Sequence, residues 1–209
     1  PFLFVFRILA LSSLIVALAR PRTVDVSSKT KTTQGIDIVM AIDVSGSMLA
    51  KDLKPNRMEA LKRVAGEFVE QRPNDRIGIV VYASEAYTKT PVTSDKPLIL
   101  DAISSIKYDN VLKDGTGIGM GLTTAVNRLK DSKAKSKVII LMTDGVNNAG
   151  FIEPETASDI AQQYGIKVYT IGIGTNGMAE SPYAYAPNGR SFLYRMMPVE
   201  IDEKLMKSI

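Results

Sequence analysis

The chain contains no cysteine and no histidine. Without cysteine there are no disulfides and no thiolate metal sites, and the sequence carries no sign of its redox compartment. Without histidine, Ser-His-Asp and Cys-His catalysis are excluded, together with the usual zinc and haem ligands. A metal on this chain must rest on oxygens, which favours magnesium, calcium or manganese. Concentrated charge of one sign is also missing. The 26 Lys and Arg against 22 Asp and Glu leave a net +4, and no five like charges run together. That balance does not point to nucleic acid. The remainder is ordinary for a globular protein: 209 residues, 45% apolar and 23% charged. A chain of this size folds as one domain and buries roughly 70% of its unfolded surface.

One long apolar run stands at the start. Residues 1–19, "PFLFVFRILALSSLIVALA", are apolar apart from Arg7, Ser12 and Ser13. A helix of that length spans about 28 Å, close to the hydrocarbon thickness of a bilayer. We expect a transmembrane helix there, with Arg7 near one end where it can snorkel. The competing readings are a secretory signal peptide and a buried core helix. The length of the apolar stretch and its interruption by Arg7 weigh against the former. Residues 20–34, "RPRTVDVSSKTKTTQ", read as a polar linker into a domain at 35–209.

Along that domain, apolar β-branched runs alternate with helical spacing. "GIDIVMAID" (35–43), "RIGIVVYA" (76–83), "KVIILMTDG" (137–145) and "IKVYTIGIG" (166–174) have the character of strands buried on both faces. "EAYTKTPV" alternates like a short edge strand, with Pro91 closing it. Met58, Leu61, Val64, Ala65, Phe68 and Val69 repeat at helical spacing behind an N-cap at Asn56. Further helices are expected over 94–106, in "LTTAVNRLKDS" and in "EPETASDIAQQYG", which Gly165 caps, and a last one in "VEIDEKLMKSI". "PNG", between aromatic-alternating arms at 178–197, signals a hairpin. The alternation predicts an α/β fold, a Rossmann-like doubly wound, mostly parallel sheet with helices on both faces. Right-handed crossovers gather the carboxyl ends of its parallel strands on one edge, where ligands of such sheets bind.

Asp43 ends the first of those strands and Asp144 the third, so both fall on that edge. "AIDVSGSM" adds Ser45 and Ser47, and "KDGTGIG" adds Thr116. All five side chains offer hard oxygens. Two carboxylates come near to neutralising a divalent cation, and three hydroxyls hold geometry without quenching its Lewis acidity. An octahedral ion would keep an open or water-filled position, for which a carboxylate of another protein is the natural ligand. The glycines at 46, 115, 117 and 145 let the loops approach closely.

"DVSGSM", "GTGIGMGL" and "LMTDG" resemble the three motif segments of the von Willebrand factor type A domain, which together form its metal-ion-dependent adhesion site. The resemblance covers roughly residues 35–209. It implies that Asp43, Ser45, Ser47, Thr116 and Asp144 are the metal site, usually holding magnesium. It also implies a mostly parallel sheet with one antiparallel edge strand, which "EAYTKT" fits, and a module that binds proteins rather than an enzyme. More narrowly, the apolar helix ending "ALARPR" and the stretch "RIGIVVYASEAYTKTPVTSDK" resemble bacterial Bat-type aerotolerance membrane proteins. That likeness implies an inner-membrane protein working with other Bat-type proteins and a MoxR-type AAA+ ATPase system. It also implies a chain that continues past residue 209 to a further strand and a second membrane helix. Family topology places the domain in the periplasm, whereas Arg20, Arg22, Lys29 and Lys31 would favour the cytoplasm by the positive-inside rule.

Blander and rival readings attach to the same residues. Asp43, Ser45 and Ser47 would suit a turn and N-cap. "GTGIGMG" lacks dinucleotide-binding spacing in any frame. A magnesium-dependent phosphohydrolase with Asp43 as nucleophile is the alternative function, although the second Asp expected two residues on is Ser45. In the hairpin, Tyr183, Tyr185, Phe192 and Tyr194 form either a partner-recognition surface beside the ion or packing across the two arms.

Overall fold

The computed structural model describes residues 2–18, 35–108, 112–187 and 191–209. It divides into two units, residues 1–32 and residues 33–209. In the first unit, α1 (Phe2–Leu18) is a 17-residue helix whose described side chains are exposed, Phe2, Leu3 and Leu18 among them. At 1.5 Å per residue it is about 25 Å long. Among the described residues no helix is long and apolar enough to cross a membrane. The expected transmembrane helix over 1–19 is therefore not supported: the helix forms, but the described part falls short of the length required. The linker expected at 20–34 lies outside the described residues.

The second unit is built on β1 (Asp37–Asp43), β2 (Arg76–Tyr82), β3 (Ala86–Thr93), β4 (Lys137–Thr143) and β5 (Ile166–Gly172). They form one sheet in the order β3-β2-β1-β4-β5. All pairs are parallel except β2–β3, the antiparallel edge pair. β1, at the centre, is buried along its whole length. Its alternate residues feed two cores because strand side chains point to opposite faces. Ile38, Met40 and Ile42 meet Met58, Leu61, Ala65 and Val69 of α2 (Arg57–Glu70), and Ile99 and Ile103 of α3 (Lys96–Ser104). Val39 and Ala41 meet Ile118, Leu122, Ala125 and Leu129 of α4 (Ile118–Leu129), and Ala157 and Ala161 of α5 (Pro154–Gln163). Asn56 caps α2 by accepting the Glu59 amide at 2.8 Å, as the sequence suggests.

Two boundaries and the burial of one strand differ from expectation for identifiable reasons. β3 does not close at Pro91 but runs through it to Thr93. The register shifts between Ile77 and Ile79, and an edge strand at an irregularity tolerates a residue without an N–H. α4 starts at Ile118, four positions before the stretch "LTTAVNRLKDS". Its glycines pack rather than break the helix. A Cβ on Gly119 would lie 2.0 Å from the Ile152 carbonyl oxygen, and one on Gly121 would lie 2.5 Å from the Tyr82 ring. β5 is a sheet edge and not doubly buried, so Tyr169 is exposed. Beyond β5 stand the antiparallel pair β6 (Gly177–Tyr185) and β7 (Phe192–Val199) and a short α6 (Glu203–Ser208). The pair forms where the hairpin was expected; the residues of its turn at 188–190 lie outside the described set.

Candidate metal centre

β1 and β4 are adjacent and parallel, with Ile42 opposite Met142. Their carboxyl ends deliver Asp43 and, one residue past β4, Asp144 to the same rim. Asp43 is fully buried. Its Oδ1 accepts the Ser45 amide at 2.9 Å and the Ser45 hydroxyl at 2.6 Å. Its Oδ2 accepts the Thr143 hydroxyl at 2.8 Å. Ser45 Oγ, at the N-cap of a one-turn 3-10 segment, Gly46–Leu49, lies 3.0 Å from Ser47 Oγ within it. Burial and the charge of Asp144 push the Asp43 carboxyl up to about 7, against the pull of the Ser45 and Thr143 hydrogen bonds. Two carboxylates this close and this dry resist being ionised together.

Thr116 precedes Gly117, the N-cap of α4, and is buried. The loop after Asp144 fixes its position. Asn148 Oδ1 accepts the Thr116 amide at 2.8 Å, and the Thr116 carbonyl accepts the Asn148 and Ala149 amides at 3.0 and 3.1 Å. Asn147 Oδ1 likewise accepts the Ile118 amide at 2.9 Å. Ser47, Thr116 and Asp144 then line one cleft of about 500 Å³, joined by Asp114, whose Oδ1 accepts the Gly46 amide at 2.9 Å. Asp43 and Ser45 lie behind that wall, tied to it through Ser47. The structure thus brings all five sequence-nominated oxygen donors to one place. Among the described residues no group of three or more carboxylates gathers anywhere, this rim included, so the hydroxyls must complete the donor set. The donor set, two carboxylates with neutral hydroxyls, suits a hard divalent ion.

Sequence reasoning missed Arg57. Its guanidinium is 2% exposed and donates from Nη1 to Asp144 Oδ2 at 3.0 Å. Nε and Nη2 bind Asp52 at 2.8 to 3.1 Å. In the sequence it reads as one more charge at the start of an amphipathic helix. Asn147, Asn148 and Asp114 were also missed, as polar loop residues without a pattern of their own.

The opposite wall of the cleft is the hairpin. Tyr183, Tyr185 and Phe192 line it, with Tyr108 from the body of the domain. Tyr194 is not among the lining residues; Lys51 Nζ sits 3.9 Å over its ring. Tyr185 and Phe192 pack across the hairpin at 4.4 Å, and Tyr108 meets Phe192 edge-on at 5.3 Å. Burial, together with a hydrogen bond to Tyr185, pushes the Tyr108 phenol up. On the other flank, the Lys51 amide donates to the Glu180 carbonyl at 2.9 Å, and the Lys51 ammonium pairs with the Glu180 carboxylate at 3.1 Å. Cross-hairpin packing and a cleft-facing aromatic surface therefore coexist: Tyr183 and Tyr185 stay about half exposed at 50% and 45%.

A central parallel sheet between two helical layers, with Asp-x-Ser-x-Ser, Thr and Asp meeting at its carboxyl edge, defines a class of protein. The chain belongs to the von Willebrand factor type A domain family, which it matches over residues 37–197. Among solved structures it resembles BatB from Bacteroides thetaiotaomicron, at 29% identity and a TM-score of 0.74 over 83% of this chain and 84% of that one. An aerotolerance-related membrane protein from Bacteroides fragilis is similar at 27% identity and a TM-score of 0.72, covering 83% of this chain and 86% of that one. Proximal thread matrix protein 1 of the mussel byssus, with a zinc-occupied MIDAS motif, shares 27% identity and a TM-score of 0.58 over 66% of this chain and 35% of that one. An uncharacterized protein of Borreliella burgdorferi is 35% identical over 176 residues, 84% of this chain and 51% of the relative. The chain thus spans about half the length of that relative.

Proposed function

We propose that this domain is a metal-dependent protein-binding module, with Asp43, Ser45, Ser47, Thr116 and Asp144 holding a divalent cation, magnesium in the first place. When bound, the ion supplies an electrophilic position for an acidic group of a partner protein. The observation that carries this reading is the wall of the cleft. Ser47, Thr116 and Asp144 face a cavity of about 500 Å³, with Asp43 and Ser45 hydrogen-bonded behind them. Tyr183, Tyr185 and Phe192 on the facing wall supply amphipathic contact area for the partner segment that carries the carboxylate. The zinc-occupied MIDAS motif of the mussel relative supports divalent-ion binding by this kind of site.

The likeness to Bacteroides aerotolerance-related proteins supports a role in a stress-related assembly at the bacterial inner membrane. Other Bat-type proteins and a MoxR-type ATPase system are the proposed partners, the apolar N-terminal segment is the proposed means of membrane association, and the periplasm is the proposed side for the domain. The phosphohydrolase alternative is less well supported. Asp43 is fully buried with both carboxylate oxygens hydrogen-bonded and is not among the residues that line the cleft.

The test is capture from membrane extracts with magnesium and with chelator. Wild-type protein is expected to retain partner only with metal, and Asp43→Ala to retain none. Equal capture by Asp43→Ala in magnesium, or a full magnesium-induced rise in its melting temperature, would refute the reading.

A further inference from the structure

Arg57 is in an unusual place. It is the first residue of α2, where the helix dipole disfavours a cation, and it is almost entirely buried. Replacing a buried ion pair by apolar residues is often neutral or stabilising, so stability alone gives little reason for an arginine here. The residue is nevertheless fully engaged: two contacts from Nε and one from Nη2 go to Asp52, and one from Nη1 goes to Asp144. Asp52 in turn accepts the Thr175 amide at 2.7 Å and the Thr175 hydroxyl at 3.2 Å. Those bonds and the Arg57 pair hold the Asp52 carboxyl below its usual range against the opposing pull of burial. The backbone makes room for the guanidinium: Gly174 has φ +139, and a Cβ there would lie 2.7 Å from Arg57 Cζ.

Resting on the metal reading above, we infer that Arg57 is a built-in competitor for the cation at Asp144 and that Asp52 restrains that competition. Arg57 occupies Asp144 Oδ2, the carboxylate that faces the cleft. Its positive charge compensates Asp144 when no ion is present and opposes a second cation beside it. Asp52 shares the same guanidinium through a two-pronged contact, which draws part of that charge away from the cleft. The affinity of the centre is therefore set by a balance between one arginine and the two carboxylates that divide it. At the separations of a buried site, one fixed charge shifts a divalent-ion equilibrium by about tenfold or more.

The two partners consequently have opposite effects on binding, although losing either one weakens the fold. Manganese binding is measured by electron paramagnetic resonance on the full 209-residue chain in detergent, with melting followed in parallel. Arg57→Met is expected to lower the manganese Kd about tenfold while melting earlier without metal. Asp52→Asn is expected to raise the Kd about tenfold. Arg57→Lys, which keeps the charge, is expected to stay within about threefold of wild type. Arg76→Met, which removes an arginine from the far end of β2, is expected to leave the Kd unchanged. If Arg57→Met and Asp52→Asn shift the Kd in the same direction, or neither shifts it, the inference is overturned while the metal reading stands. Should Arg57→Met not fold, Asp52→Asn decides: an unchanged or lower Kd overturns the inference. Failure of the wild-type chain to bind manganese overturns the metal reading, and this inference with it.

Discussion

Asn148 and Thr116 are clipped together twice, through the 2.8 Å side-chain bond to the Thr116 amide and the 3.0 Å return bond to its carbonyl. They come from loops 32 residues apart. The pairing fixes a backbone that would otherwise let the Thr116 hydroxyl swing. Asn148→Ala is expected to cost about 1–2 kcal/mol, because it leaves a partly buried amide without its acceptor. It is also expected to weaken magnesium binding several-fold with Thr116 itself intact. Titration calorimetry checks this; unchanged affinity would mean that Thr116 needs no such support.

The hairpin provides a second expectation. Phe192 touches both Tyr185 and Tyr108, so it joins β7 to β6 and to the body of the domain. Phe192→Ala removes two aromatic contacts, each worth about 0.5–1.5 kcal/mol beyond area burial. The expected result is faster amide exchange along β6 and β7, with exchange in β1 and β4 unchanged. Metal affinity should hold while partner capture falls, which separates the two walls of the cleft experimentally.

Acid stability follows from the opposite end of the sheet. Burial pushes the Asp37 carboxyl up, but the Arg76 guanidinium and the Ser132 hydroxyl outweigh it, and the net result lies below the usual range. A carboxyl depressed by folding contributes stability that is present above its unfolded value, about 3.9. That contribution is lost as pH falls through the lower folded value. Wild type should therefore lose stability below about pH 4 more steeply than Asp37→Asn, which has already forfeited the contribution. Urea melts at pH 7 and pH 3 check the sign.

Gly121 tests the packing that moved the start of α4. In an open helix, glycine to alanine would stabilise. Here the new methyl would meet the fully buried Tyr82 ring at 2.5 Å. Gly121→Ala is expected to destabilise by about 1–3 kcal/mol or more, read as a lower urea midpoint with an unchanged slope.

That glycine also shows where the sequence ceased to be legible. The doubly wound sheet and its rim could be read because apolar β-branched runs and helical spacing are local signals, and Asp43 and Asp144 each follow such a run directly. The start of α4 could not, because Gly119 and Gly121 look like breakers until the Ile152 carbonyl and the Tyr82 ring are seen to press on them. β5 misled in the same way, since an apolar run does not say whether a neighbouring strand will cover its outer edge. At the site, the five oxygen donors were legible through their spacing. Arg57 was not, because burial of an arginine depends on carboxylates at positions 52 and 144, one of them 87 residues away.

The two helical layers are glued to opposite faces of β1, and the rim borrows from both. The segment that carries Ser45 and Ser47 is anchored by Met48 in the core on the α2 side, while Thr116 precedes the N-cap of α4. Neither half of the sandwich owns the constellation. Detaching one layer dismantles it even if the other stays intact, so competence to take up an ion becomes a sensor of the integrity of the whole domain.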